Sequence, residues 1–314
     1  MHLLDRRLLF VTGKGGVGKT SVAAALGMLA ASQGKRTLVC EVDAKGNLAD
    51  YLECGPVAFK ASEVQPGLSV MAMDTEDSLK EYLSLQLKLP LLTRIGPVAR
   101  TFDFMATAAP GVKEILTVGK LCWEVKERHY DLVVVDAPAT GHVIAQLAAP
   151  QAINELVKVG RVRDQTRWMV DILADPALTA AVIVAAPEEM PVTESLELAE
   201  RIATETDVQL AAVIVNKVLP ELFGRGEEDV FDQLTTPEGA EALAAAVGGP
   251  VTPVLDGARL AVSLRRTRAQ HLTRLREELP KGPEIIYVPY LFTRSHGLRA
   301  TRTVAESLGA ELGY

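Results

Sequence analysis

Residues 8–21 read Leu-Leu-Phe-Val-Thr-Gly-Lys-Gly-Gly-Val-Gly-Lys-Thr-Ser, and an Ala-rich apolar run, Val22–Ala31, follows directly. Leu8–Thr12 has the composition of a buried strand, and Val22–Ala31 reads as a buried helix. Between them, residues 13–20 match G-x-x-x-x-G-K-S/T, the loop that joins a strand to a helix and cradles phosphate. Each residue type there has a physical reason. Gly13, Gly15, Gly16 and Gly18, with Val17 between them, let backbone N–H groups curl around phosphate oxygens. The helix that opens at Lys19, Thr20 and Ser21 adds partial positive charge. Lys19 reaches the β- and γ-phosphates, and the Thr20 hydroxyl is placed to ligate Mg²⁺. A Gly-rich turn that matched by accident would not need both flanking elements.

The loop carries a second lysine, Lys14. One loop cannot wrap two lysines around the same phosphate edge, so Lys14 points away from the edge that Lys19 serves. Across a two-fold interface it would reach a partner's nucleotide and offset developing negative charge, as an arginine finger does. The plain alternative is a solvated surface lysine.

Outward from the loop, short Val/Ile/Leu/Ala runs alternate with helical patterns. The strand candidates are Leu8–Thr12, Thr37–Asp43, Leu68–Met73, Asp131–Asp136, Thr179–Ala186, Leu210–Asn216 and Ile285–Pro289. Most are continuously apolar, which suits strands covered on both faces. The reading is an α/β fold, a doubly wound and mostly parallel sheet, forming one domain over residues 1–314. Two regions are additions to that core. A helical subdomain is expected within about 75–128 and 151–175, with helices at Ser78–Leu87, Leu91–Ala108 and Val112–Arg128. An acidic insertion spans about 219–262, before a basic amphipathic helix, Arg259–Leu279, on which Leu260, Leu264, His271, Leu272 and Leu275 recur at helical spacing.

The chain has 314 residues, a formal net charge of −7, 48% apolar and 23% charged residues, which excludes a disordered chain. The acidic balance argues against a protein that coats nucleic acid, and no nucleic-acid partner is expected. The three cysteines, Cys40, Cys54 and Cys122, include no C-x-x-C pair. They fit a reducing, cytoplasmic setting better than a disulfide framework. No apolar run approaches the ~18–20 residues of a membrane span, so any membrane role is expected to be peripheral, through a partner.

Residues 41–50 read Glu-Val-Asp-Ala-Lys-Gly-Asn-Leu-Ala-Asp, and residues 134–142 read Val-Val-Asp-Ala-Pro-Ala-Thr-Gly-His. With the two-lysine loop, these stretches resemble the switches of the ArsA-like family, the arsenite-pump and tail-anchored-protein-targeting ATPases of the deviant Walker A class. Asp43, Asn47, Leu48 and Asp50 match the first switch. Asp136, Ala137 and Pro138 stand in frame before Thr140, Gly141 and His142 of the second. Residues 109–121 fall where the family has a similar helix, and Val215-Asn216-Lys217 resembles its adenine-contacting asparagine. Arg268-Ala269-Gln270 is a weak match to a further family helix.

The resemblance implies Mg²⁺-dependent ATP hydrolysis by a nucleotide-bridged homodimer, or by a heteromer with a paralogous subunit, acting on a client or membrane-protein partner. It implies that Asp43 orients or activates the attacking water, and that Asp136 holds Mg²⁺ through water. Asn47 would belong to the first switch, and residues Pro138 to His142, Gly141 among them, would sense the γ-phosphate and transmit the switch. Asn216 would hydrogen-bond adenine, with Pro289 and Leu291 packed near the base. The alternative for Asp43 is a Walker-B-like structural aspartate, and for these last it is ordinary strand-end residues.

The sequence also departs from the family. Lys45-Gly46 stands where the family often has Ala-His, and no cysteine lies beyond Cys122, so no bridging zinc is expected. Three dispersed cysteines read more readily as apolar filler than as metalloid ligands. A hydrophobic-client chaperone would need an exposed groove, for which Leu83, Leu85, Leu87, Leu89, Leu91, Leu92, Phe102, Phe104 and Met105 are candidates. A mixed face on Val157–Leu173 is a second candidate. The soluble subunit of an anion pump is a further reading. A partitioning ATPase ranks last, because its C-terminal membrane helix would have to be Ala300–Leu312, which carries Glu306 and Glu311.

Overall fold

The run Leu8–Gly13 forms strand β1, and all of it is buried. The computed structural model describes residues 2–43, 47–87, 111–156, 161–221, 223–224, 226–292 and 297–314. On one side β1 pairs in parallel with β5 (Leu132–Asp136), and on the other with β6 (Thr179–Ala185). Outward from these lie β2 (Thr37–Glu41), β4 (Leu68–Ala72) and β3 (Ser62–Gln65) on one flank, and β7 (Leu210–Val218) and β8 (Glu284–Pro289) on the other. The order is β3-β4-β2-β5-β1-β6-β7-β8 in one eight-stranded sheet. All pairs are parallel except β3 with β4. The expected α/β sheet is therefore present. β3 is an addition: its Ser-Glu-Val-Gln is half solvated, so it lacks the apolar run that marks the other strands. A tight Pro66-Gly67 turn, with Gly67 at φ +75°, folds it back along β4 as an antiparallel edge.

Alternation along β1 divides the core between two layers. Leu9 and Val11 face α1 (Lys19–Ser32), α2 (Asn47–Leu52) and the C-terminal helix Leu298–Leu312. Leu8 and Phe10 face the helices Val112–Lys126, Thr140–Leu156, Arg161–Ala174 and Glu189–Glu205. We number these four α4 to α7, α3 being Thr75–Leu87. The expected helix Leu91–Ala108 lies outside the described residues, as do Leu89 and residues 157–160, and the side chains of Leu83, Leu85 and Leu87 are not described.

The expected acidic insertion contains two helices, α8 (Glu227–Leu234) and α9 (Pro237–Val247), and the start of α10 (Thr252–Glu278). Thr236 caps α9 by accepting the N–H of Gly239 at 3.1 Å, beside Pro237 at the first helical position. Phe231, Val251, Leu255 and Val262 close a small separate core here. That core takes the Leu255–Val262 face of α10, so Leu260 and Leu264 are 62% and 46% exposed, and the apolar stripe expected through them is buried only at its far end, at Leu275. The C-terminal helix, α11 (Leu298–Leu312), buries Thr301, Val304, Ala305, Leu308 and Leu312 against the core, so its apolar face is occupied. Among the described residues no helix is long and apolar enough to cross a membrane.

Candidate nucleotide site

The carboxyl ends of β1, β2, β5, β7 and β8 lie along one edge of the sheet, where open α/β sheets bind ligands. The phosphate loop leaves β1 through Gly13, at φ +143°, where a Cβ would stand 2.2 Å from the Val184 carbonyl oxygen of the neighbouring strand. Gly16 and Gly18 are also left-handed, at φ +85° and +98°, and a Cβ on Gly18 would meet the Asn216 amide nitrogen at 2.4 Å. Gly15 is exposed, with open space around it. Gly13→Ala is therefore expected to lower stability by about 3 kcal/mol, from backbone strain together with overpacking. Gly15→Ala should stay within ~0.5 kcal/mol. Urea unfolding of the two variants checks this, and equal midpoints would contradict it.

Val17 is buried, and Lys19, Thr20 and Ser21 open α1, a helix whose next residues are fully buried. The Lys19 ammonium bends back to the Lys14 carbonyl at 3.3 Å. Lys14 itself turns away and pairs with Glu194 on α7. Thr20 Oγ1 donates to Asp136 Oδ2 at 2.6 Å. Asp136 is 7% exposed. Burial raises its pKa to about 6; the Thr20 bond and the Lys19 charge oppose the rise, while Glu41 and Asp43 add to it. Glu41 is level with Asp136 on the adjacent strand. Its Oε1 accepts the backbone N–H of Asn47 at 3.1 Å, at the start of α2, while the Asn47 side chain is exposed.

Asp136 Oδ1 and Glu41 Oε2 are buried with no hydrogen-bond partner among the described residues. An orphaned Asp136 oxygen beside the Thr20 hydroxyl, with Glu41 level with it on the neighbouring strand, fits a hard, water-carrying dication such as Mg²⁺. Among the described residues no three His, Cys, Asp or Glu side chains gather as a metal site. Mg²⁺ needs no such cage, because water and phosphate oxygens complete its shell.

Asp43 is exposed, one residue beyond Val42, and a cleft of about 280 Å³ brings it together with Pro138, His142 and Gln146. The 41–50 and 134–142 stretches thus meet in space. Thr12 Oγ1 donates to the Pro138 carbonyl at 3.0 Å and ties the second stretch to β1. Gly141 lies in the first turn of α5 with open space around it. Lys113 and Glu114 complete the cleft from α4. They sit in the 109–121 stretch, but their spacing carried no sign that they would reach Asp43.

Asn216 is buried, and its amide donates to the Val17 carbonyl at 2.8 Å. Beyond it, the Tyr290 N–H bonds to the Val218 carbonyl at 2.8 Å, which holds Pro289 and Leu291 near the end of β7. Pro289 is exposed, while Leu291 packs on the core. Exposed Phe292 and Tyr290 form a ring pair at 4.9 Å beside them; Tyr290 lies within the 289–291 stretch expected near the base, and no motif announces Phe292. Arg268 lies at the same rim, its guanidinium donating to the Lys217 carbonyl at 3.4 Å.

The three cysteines do not gather at one site, and all are free. Cys40 and Cys122 are fully buried in the core layer on one face of the sheet, and Cys54 packs on the other. Burial pushes all three thiols above their ordinary range.

The family model for anion-transporting ATPases matches residues 6–170 and 151–229. ATPase BagA of Mycobacterium tuberculosis is 33% identical over 229 residues, covering 68% of this chain and 66% of the relative. The chain thus spans just under two thirds of that protein's length. A putative arsenical pump-driving ATPase of Halobacterium salinarum is 28% identical over 237 residues, covering 70% of this chain and 37% of the relative. An ATPase ASNA1 homolog of Entamoeba dispar is 26% identical over 264 residues, covering 70% and 79%. With the family match running through the phosphate loop, residues 41–50 and 134–142 and Asn216, the chain belongs to the anion-transporting ATPase family, the ArsA-like ATPases.

Proposed function

We propose that the chain hydrolyses ATP with Mg²⁺ as a nucleotide-bridged dimer, and that binding and turnover drive a conformational switch read by a client or membrane partner. The observation that carries this reading is the convergence, at one sheet edge, of the phosphate loop, the Thr20–Asp136 pair and the cleft that holds Asp43. The loop amides and Lys19 bind and orient the triphosphate. Thr20, and Asp136 through water, would hold Mg²⁺, which when bound neutralises charge on the β- and γ-phosphates. Asp43 orients a water at the γ-phosphorus and accepts its proton as the new P–O bond forms and the bond to ADP breaks. Pro138 and His142, across the same cleft, move when the γ-phosphate leaves. Asn216, Pro289 and Leu291 hold the base.

Lys14 would cross to the nucleotide of the second subunit, a copy of this chain or a paralogue, once it leaves Glu194. A membrane pump is one partner this reading admits, in line with a relative named as an arsenical pump-driving ATPase. Burial of Cys40 and Cys122, with half-buried Cys54 on the other face of the sheet, weighs against metalloid capture by this chain itself. Phosphate release from the purified chain tests the enzymatic core of this reading. Chelating Mg²⁺ with EDTA should lower release at least about a hundredfold. Undiminished release in EDTA, or none with Mg²⁺, would overturn it.

A further inference from the structure

We infer that Lys217 is a positioning residue for the phosphate cradle, an assignment that rests on the nucleotide reading above. Among the described residues three non-glycines have positive φ: Glu53, Arg128 and Lys217. Glu53 and Arg128 follow the ends of helices, where left-handed backbone is common. Lys217 sits inside a strand, at φ +62°. There the pairing of β7 with β8 slips: Val215 faces Tyr287, yet Val218 faces Pro289. This is a bulge, a device that re-aims side chains beside functional sites.

In a regular strand, residues 216 and 217 would point to opposite faces. The bulge and the left-handed residue bring both onto the phosphate loop. Asn216 Nδ2 donates to the Val17 carbonyl and Lys217 Nζ donates to the Gly16 carbonyl, each at 2.8 Å. These are consecutive peptide units. In a trans peptide the C=O and N–H point opposite ways. Whatever pins the Gly16 oxygen outward therefore turns the Val17 N–H inward, and pinning the Val17 oxygen does the same for Gly18. Two N–H donors are aimed at the phosphates in advance, so binding does not have to order them. Strained backbone kept at such a place is best explained by what it positions.

The test is equilibrium binding of ATP, ADP and inorganic tripolyphosphate to the full chain and to Lys217→Met, Lys217→Gly and Lys217→Arg. Losing the charged donor should weaken all three ligands about tenfold in Lys217→Met. Lys217→Gly removes the backbone strain as well as the donor, so it should melt no lower than wild type and still bind weakly. Lys217→Arg keeps a donor and should recover most of the affinity. If Lys217→Met weakens ATP but not tripolyphosphate, Lys217 acts at the base or ribose and the cradle role is wrong. If wild-type affinity survives in both Met and Gly variants, the role is also wrong. A wild-type chain that binds neither ATP nor tripolyphosphate overturns the nucleotide reading itself, a result separable from the other two.

Discussion

Asp43→Asn is expected to bind ATP as wild type does and to turn it over roughly a thousandfold more slowly, the scale of a lost general base. The residue lies one step past Val42, beyond the end of β2, exposed in the cleft that also contains Pro138 and His142. Asparagine keeps the size and one oxygen of the carboxylate but cannot take a proton at neutral pH. The substitution should therefore leave Lys19 and the loop untouched and remove only the step that activates water. Single-turnover phosphate release, beside titration with a fluorescent ATP analogue, separates the two quantities. Turnover within about threefold of wild type would remove Asp43 from the mechanism.

Lys14→Ala is expected to lose a comparable factor, roughly a thousandfold, because a cation supplied across an interface is worth that much in phosphoryl transfer. Here Lys14 is paired with Glu194 of its own chain, and both side chains are partly exposed. A pair of that kind is worth at most about 1 kcal/mol. Contact with a polyphosphate can readily displace it. Glu194→Gln should then keep turnover at or above the wild-type level, whereas Lys14→Ala should lose it while ADP binding is unchanged. If Glu194→Gln were as inactive as Lys14→Ala, the ion pair itself would be the working part, and Lys14 would not act across an interface.

The phosphate loop and the sheet were legible because each rests on local, redundant signals. Gly13, Gly16 and Gly18 stand where a Cβ or a negative φ would not fit, and the loop is flanked by an apolar run on each side. The strands β1, β2, β5 and β6 are buried along their whole length, which writes itself into composition. Edge strand β3 is polar because only one flank is paired, so it left no such trace. Leu260 and Leu264 recur at helical spacing yet stand exposed, because periodicity reports a face but not what covers it. Asp43, Pro138 and His142 were legible only through their resemblance to known switches. Lys113 and Glu114 reach the same cleft from another helix, which is a tertiary fact. Lys217 carries no local signal of its own, since a regularly alternating strand would point it away from Asn216. Nothing local announces the bulge that brings it back.

The bridged dimer is the centre of this account, and its mass is the most direct test. Light scattering should give about 33.7 kDa with ADP and about twice that with Mg²⁺ and a non-hydrolysable ATP analogue, with Lys14→Ala remaining at the lower mass in both. A wild-type chain that keeps the lower mass with the analogue, or a Lys14→Ala variant that doubles as readily, would contradict it.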